Sequence, residues 1–334
     1  MRRTSKLNSA VLVLGIVCTP TLADVQKHPS KLTDPITSGT FQLLVEPSGI
    51  TTLDNNVLIV VEDEPSRALR RLEVSSNGNA KLSFDEFEQP TSTSFIQRRL
   101  LAPLDDLEAI ARVSNDEFFV IGSHENAGQG GHRARQKLVL FTRDGIDIVS
   151  AAMRQDFFTQ LGARYPALLE TISENKKKRS SLNIEGMAYD RKRERLLIGL
   201  RNPLQNNRSV VISILNAIEY VRGDDPVFAD ELHLIDLEKN GIRAMVYDDK
   251  TDTLLIVGKR EHGGSKRSTL WHVDADGLGS PLRYRSDDKN LFNNVEGLSP
   301  IGETIVFVRD NGQRKSSDDN WFALTRSQLG LKTQ

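Results

Sequence analysis

The tripeptide Glu185-Gly186-Met187, a polar or charged residue followed by a small and then an apolar one, decides the fold because it recurs. The same form stands at Ser48-Gly49-Ile50, Glu108-Ala109-Ile110, Arg243-Ala244-Met245 and Glu296-Gly297-Leu298, with successive copies 60, 77, 58 and 53 residues apart. Behind each copy a turn leads into an apolar run: Val57–Val61, Phe118–Ile121, Leu196–Ile198, Leu254–Val257 and Ile305–Val308. A third run follows, as at Lys137–Thr142, Val210–Leu215 and Thr269–Val273. Short runs of Val, Ile, Leu and Phe between turn signals read as buried strands. A unit of three or four strands repeated five times predicts the blades of a β-propeller around a central channel. The small second residue has a steric reason: innermost strands crowd toward the axis, and Gly or Ala leaves room for the neighbours.

The expected architecture is all-β, a single propeller over residues 37–328 with five blades. A sixth blade is the alternative, if the irregular stretch Phe84–Asp106 holds one. The last unit runs short after Trp321–Leu324, so an early N-terminal strand, Phe41–Val45, is expected to close the ring. One insertion, at about 153–175, breaks the pattern. Phe157, Phe158, Leu161, Tyr165, Leu168, Leu169 and Ile172 fall at helical spacing, with Pro166 as a start or kink. Its apolar stripe must be buried, and the face of the propeller is the expected surface, which would make the helix a partial lid over the channel. The basic run Lys176–Arg179 follows it.

The N-terminus reads as a secretory signal over residues 1–23. Arg2, Arg3 and Lys6 precede the apolar run Ala10–Val17, and Thr21-Leu22-Ala23 supplies small residues for cleavage before Asp24. The run is too short to span a bilayer, so no membrane anchor is expected. Cys18 is preceded by Val17, where lipoprotein processing wants a small residue. Export to the periplasm or the outside follows, with residues 24–36 as a flexible lead. The signal takes the chain's one cysteine with it, leaving no disulfide, thiol nucleophile or cysteine metal site. The 44 basic and 45 acidic residues nearly balance, which is no footprint for nucleic acid.

Several short segments in order carry a resemblance. They are Glu46-Pro47-Ser48-Gly49-Ile50 with Glu62-Asp63-Glu64, Asp106-Leu107-Glu108 with Ile121-Gly122-Ser123-His124, and Asn183-Ile184-Glu185-Gly186 with Ile198-Gly199-Leu200-Arg201-Asn202-Pro203; Gly241-Ile242-Arg243 adds a fourth. Together they resemble a bacterial family known as domain of unknown function 3616, over most of the chain from Pro47 to Asp310. The resemblance implies an exported β-propeller and no particular activity. The architecture is more distantly similar to phytase-like and lactonase propellers, an analogy of fold that does not carry function.

Repeat geometry says which side chains meet. Residues opening the first strand of a blade share one end of the channel with those just after its second strand. The first set is Ser48, Glu108, Glu185, Arg243 and Glu296; the second is Asp63, His124, Arg201, Lys259, Arg260 and Asp310. Glu108, Glu185, Glu296 and Asp63 are candidate ligands for a divalent cation such as Ca²⁺, which could orient water for hydrolysis. Glu185 and His124 are the candidate catalytic groups, His124 as proton carrier. Arg201, Asn202, Lys259, Arg260 and Arg309 are candidates for holding an anionic substrate. Against this stands a structural role: the glutamates binding backbone N–H groups, with Arg243 neutralising them. Two functions are therefore expected, a metal-assisted hydrolase of an anionic ester, lactone or phosphoester, or a non-catalytic propeller binding a small ligand or an exported protein. The loops Asn126–Arg135 and His262–Arg267 are Gly-rich and basic and could cradle phosphate, although such loops are commonly plain connections. His132 and His262 lack zinc-ligand spacing.

Overall fold

The computed structural model describes residues 31–41, 44, 46–54, 57–63, 69–76, 82–86, 104–125, 133–144, 147–174, 182–260, 267–275, 278, 280–310 and 319–332. The expected signal segment, the basic run Lys176–Arg179, His132 and His262 lie outside them.

Two short N-terminal strands, β1 (Lys31–Leu32) and β2 (Thr37–Gly39), precede the repeats. Blade 1 is β3 (Pro47–Asp54), β4 (Val57–Glu62), β5 (Leu69–Ser76) and β6 (Leu82–Glu86). Blade 2 is β7 (Leu107–Arg112), β8 (Glu117–Gly122), β9 (Leu138–Asp144) and β10 (Asp147–Arg154). Helices α1 (Phe157–Arg164) and α2 (Pro166–Glu174) follow. Blade 3 is β11 (Asn183–Asp190), β12 (Arg195–Asn202), β13 (Ser209–Ile214) and, after α3 (Ala217–Arg222), β14 (His233–Ile235). Blade 4 is β15 (Gly241–Asp248), β16 (Thr253–Lys259), β17 (Ser268–Asp274) and β18 (Leu282–Arg283), after which β19 (Arg285–Ser286) pairs with β1. Blade 5 takes β20 (Val295–Ile301), β21 (Thr304–Arg309) and β22 (Trp321–Thr325) from the C-terminal end. Its fourth strand is β2, antiparallel to β22.

Each innermost strand packs on the innermost strands of both neighbours: β3 on β7, β7 on β11, β11 on β15, β15 on β20, and β20 back on β3. The ring is closed. It is a five-bladed β-propeller, with an N-terminal strand completing the last blade as expected. That strand is Thr37–Gly39, slightly upstream of the run Phe41–Val45 that the sequence suggested. Phe41 and Leu44 are buried instead, with the Phe41 ring 6.0 Å from Trp321. Their apolar content marks packing under the strand, whereas the strand itself is a polar edge.

The apolar runs are continuous because each middle strand is covered on both faces. Alternate residues serve different neighbours. Phe118 and Val120 join blade 1, while Phe119 and Ile121 join blade 3. Five buried clusters result, one in each groove between blades. The small residue of the repeat sits where the inner strands touch. A Cβ on Gly49 would come within 3.1 Å of the Ala109 Cα, and one on Gly297 within 3.0 Å of the Ile50 nitrogen. Both contacts are to backbone of the adjacent blade.

The helical insertion departs from expectation. It forms two helices broken at Tyr165-Pro166, and it does not roof the channel. Phe157, Leu161, Tyr165 and Leu168 are buried among residues of blades 2 and 3. The Tyr165 hydroxyl donates to the Ala229 carbonyl at 2.6 Å, and Arg164 bonds the Ala229 and Asp230 carbonyls, which belong to the outer edge of blade 3. The Tyr220 hydroxyl of α3 donates to Asp156 just before α1. The helices fill the groove between two blades, which offers the apolar stripe more buried surface than the channel face could.

Candidate functional site

All five inner strands carry the same irregularity. Pairing between first and second strands skips one residue in every blade: Ser48, Glu108, Glu185, Arg243 and Glu296. These are the residues that open the repeated tripeptide. Each is the extra residue of a β-bulge, a device that re-aims a side chain without ending the sheet. The partner strands end at the same level, with Pro47 opposite Glu62, Leu107 opposite Gly122, Asn183 opposite Asn202, Gly241 opposite Lys259 and Val295 opposite Arg309.

At this end of the channel Arg243 is the central cation. Its Nη1 lies 2.8 Å from Glu185 Oε2 and 3.0 Å from Oε1, and its Nη2 pairs with Glu296. Glu185 also accepts from Arg201. The side chains of Glu185, Arg243 and Glu296 are 3%, 8% and 11% exposed, against 26% for Arg201, so the network is sealed below and open at Arg201. Glu108 joins through its charge environment. Burial holds its pKa well above the usual carboxylate range, and the neighbouring Glu185, Asp106 and Asp63 push it further up against the opposing Arg243. Glu108 is therefore held toward its neutral form, beside a Glu185 paired with Arg243 and Arg201.

Asp63 extends the cluster. Burial, then a hydrogen bond with Asp106 and the charges of Asp106 and Glu46, raise its pKa to about 7, with Arg135 opposing. Asp106 also accepts from the Ser123 hydroxyl and lies 3.2 Å from Arg135 Nη1, while Asp105 accepts from Arg135 Nε at 3.1 Å. Asp105, Asp106, Ser123 and Arg135 join the site beyond the residues that the repeat geometry predicts. Their signal was adjacency: Asp105-Asp106 directly precedes the blade 2 motif, and Arg135 ends the basic loop before β9.

Other candidates are used differently. His124 is fully buried, its Nδ1 is 2.9 Å from the Gly122 carbonyl, and its ring meets Phe157 edge-on at 5.4 Å. Burial lowers its pKa to about 4 despite that hydrogen bond. It packs α1 onto blade 2, away from the channel-end carboxylates to which Arg243 and Arg201 are bonded. The Arg309 guanidinium donates to the Asp319 and Leu291 carbonyls at 2.8 Å and covers the Phe322 ring, so it holds blade 5 together in place of a substrate. Arg260 donates to the Glu238 carbonyl and lines a separate cleft at the edge of blade 4. Lys259 and Asn202 remain at the channel end, both partly buried. The metal-ligand set does not assemble: Glu185 and Glu296 direct oxygens to Arg243, and among the described residues no three His, Cys, Asp or Glu side chains are disposed to hold a metal ion. Among them too, no helix is long and apolar enough to cross a membrane.

No protein-family model and no curated protein matches the chain. Solved structures align with the chain at low identity. The chain is similar to hydrazine synthase of Kuenenia stuttgartiensis at 10% identity and a TM-score of 0.39, covering 86% of this chain and 65% of that one. It is similar to the calcium-binding protein regucalcin of Agrobacterium tumefaciens at 12% identity and a TM-score of 0.38, covering 88% and 92%. A chain of the mitotic checkpoint complex aligns at 9% identity and a TM-score of 0.35, over 96% of this chain and all of that one.

Proposed function

We propose that the propeller is a small-ligand-binding module whose recognition surface is the bulged end of the channel. The observation that carries this reading is Arg243, which joins Glu185 and Glu296 where the inner strands converge. A guanidinium fixed between carboxylates is a preorganised surface, and preorganisation lowers the cost of binding. A small carboxylate or phosphoester would meet Arg201 at the open rim, with Lys259 near by and Glu108, in its neutral form, as hydrogen-bond donor. The test is a thermal-shift panel of small carboxylates, lactones and phosphoesters. A ligand that stabilises the native protein and fails to stabilise Arg201→Met supports the reading; equal stabilisation of both proteins contradicts it.

A second reading is favoured by the split between Glu108 and Glu185. A carboxyl pushed toward its neutral form beside one paired with two arginines has the makings of an acid–base pair, suited to hydrolysis of an ester or lactone. Turnover abolished by Glu108→Gln would select it over simple binding. The metal-assisted version further requires Glu185 and Glu296 to leave Arg243 for a cation such as Ca²⁺, so it predicts inhibition by chelators. Export and kinship with the exported propeller family belong to the same proposal. Secreted protein beginning at Asp24 supports them, and a lipid-modified Cys18 would contradict them.

A further inference from the structure

Away from the channel axis, the edge of blade 4 carries a second built feature. The segments after β14, at the start of β17 and between β18 and β20 enclose a cleft of about 460 Å³. Five cations line it, Arg260, Arg267, Arg283, Arg285 and Lys289, against two carboxylates, Glu238 and Asp288. Glu238 is committed, since its carboxylate lies 2.7 Å from Arg283 Nη1 and its carbonyl accepts from Arg260. That leaves a cationic excess over a concave surface, which concentrates anions.

The floor supplies an independent observation. Ser268 lines the cleft and is 5% exposed, and its Oγ is buried with no hydrogen-bond partner among the described residues. Its backbone is fixed, because Ser268 N donates to the Asn293 side chain and β17 pairs along its length with β16. A buried hydroxyl without a partner costs free energy unless a bound group completes it. An oxyanion would do so, accepting from the hydroxyl at the floor while arginines hold it from the rim by charge-assisted hydrogen bonds.

We infer that the blade 4 cleft is a binding site for a multiply charged oxyanion ligand, such as a phosphate or sulfate ester, distinct from the channel mouth. The volume lies within the range of small-molecule sites and exceeds what one phosphate needs, so the ligand carries more than one anionic group or an attached body.

The test uses pyrophosphate as probe and calorimetry on the purified protein. The native protein should bind one equivalent, with affinity falling as salt is raised from 50 to 300 mM. Arg285→Gln with Lys289→Gln, both at exposed positions, should weaken binding by about tenfold or more, which is about 1.4 kcal/mol. Ser268→Ala should weaken it about threefold or more, and Arg201→Met in the channel mouth should leave it unchanged. Absence of saturable binding, or binding indifferent to the double substitution, would overturn the inference. So would a loss in the double variant with none in Ser268→Ala, which would mark diffuse surface attraction. A loss in Arg201→Met alone would place the probe in the channel mouth and also overturn it.

Discussion

Replacing Arg243 with Met keeps the length of the side chain and removes its charge, which isolates the electrostatic role of the network. In the native protein that charge faces Glu185 and Glu296, both almost fully buried. Removing one partner of a buried ion pair costs about 3–5 kcal/mol because the other charge is left without compensation. Glu185 keeps Arg201, so the lower end, about 3 kcal/mol, is expected. For a chain of this size that corresponds to a fall in Tm of roughly 4–5 °C. The sign with pH follows from the acids. Without Arg243, Glu185 and Glu296 lose their buried counter-ion, and Glu108 loses the cation that opposed its upward shift. Stability of the variant is then greatest at low pH, where carboxyls are neutral, and is lost as pH rises. Urea unfolding at pH 5 and pH 8 measures it: the deficit should be larger at pH 8. Adding Glu185→Gln and Glu296→Gln should restore most of the loss, since neutral amides need no counter-ion. A deficit under about 1 kcal/mol at pH 8, or one that does not shrink at pH 5, would refute the reasoning.

Asp63→Asn should flatten a part of the native pH profile. Asp63 titrates near 7 when folded and near 3.8 when unfolded, so its contribution is present below 3.8 and lost as pH rises toward and through 7. The variant should be more stable than the native protein at pH 8 by about 1–2 kcal/mol after solvent screening, read by urea melts. Gly297→Ala should destabilise by about 1–3 kcal/mol, because the new methyl meets backbone of blade 1 that cannot shift alone. Phe157→Ala should cost about 3–5 kcal/mol and expose His124, raising its pKa from about 4 toward the ordinary value in an NMR titration. An unchanged His124 titration would show that Phe157 is not what keeps it dry.

The blades were legible because one physical constraint repeats: a strand squeezed against its neighbours near an axis needs a small residue, and Gly49 and Gly297 show that contact directly. The approach of Glu108, Glu185, Arg243 and Glu296 followed from the same count. The bulge at each of them was not legible, because it lies in the register between two strands and no residue type requires it. Roles were harder to read than positions. His124 and Arg309 stand at the expected level of their blades, but the sequence does not reveal that Phe157 folds over one and that the Leu291 and Asp319 carbonyls take up the other. Arg243 reads as a neutralising residue in sequence and proves to be the cation around which two of the proposed metal ligands are arranged. The lid failed for a similar reason. An apolar stripe says that a helix is buried, and the groove between blades 2 and 3 competes with the channel face for it.

Metal content tests the reading of the channel mouth most directly. Purified protein is dialysed against calcium, exchanged into metal-free buffer, and assayed by elemental mass spectrometry beside Glu185→Gln. With Arg243 as the resident cation, the native protein should retain no stoichiometric metal and its melting temperature should be indifferent to chelator. One equivalent of calcium retained by the native protein and lost in Glu185→Gln would contradict the account, and would show that the carboxylates leave Arg243 to hold a metal ion.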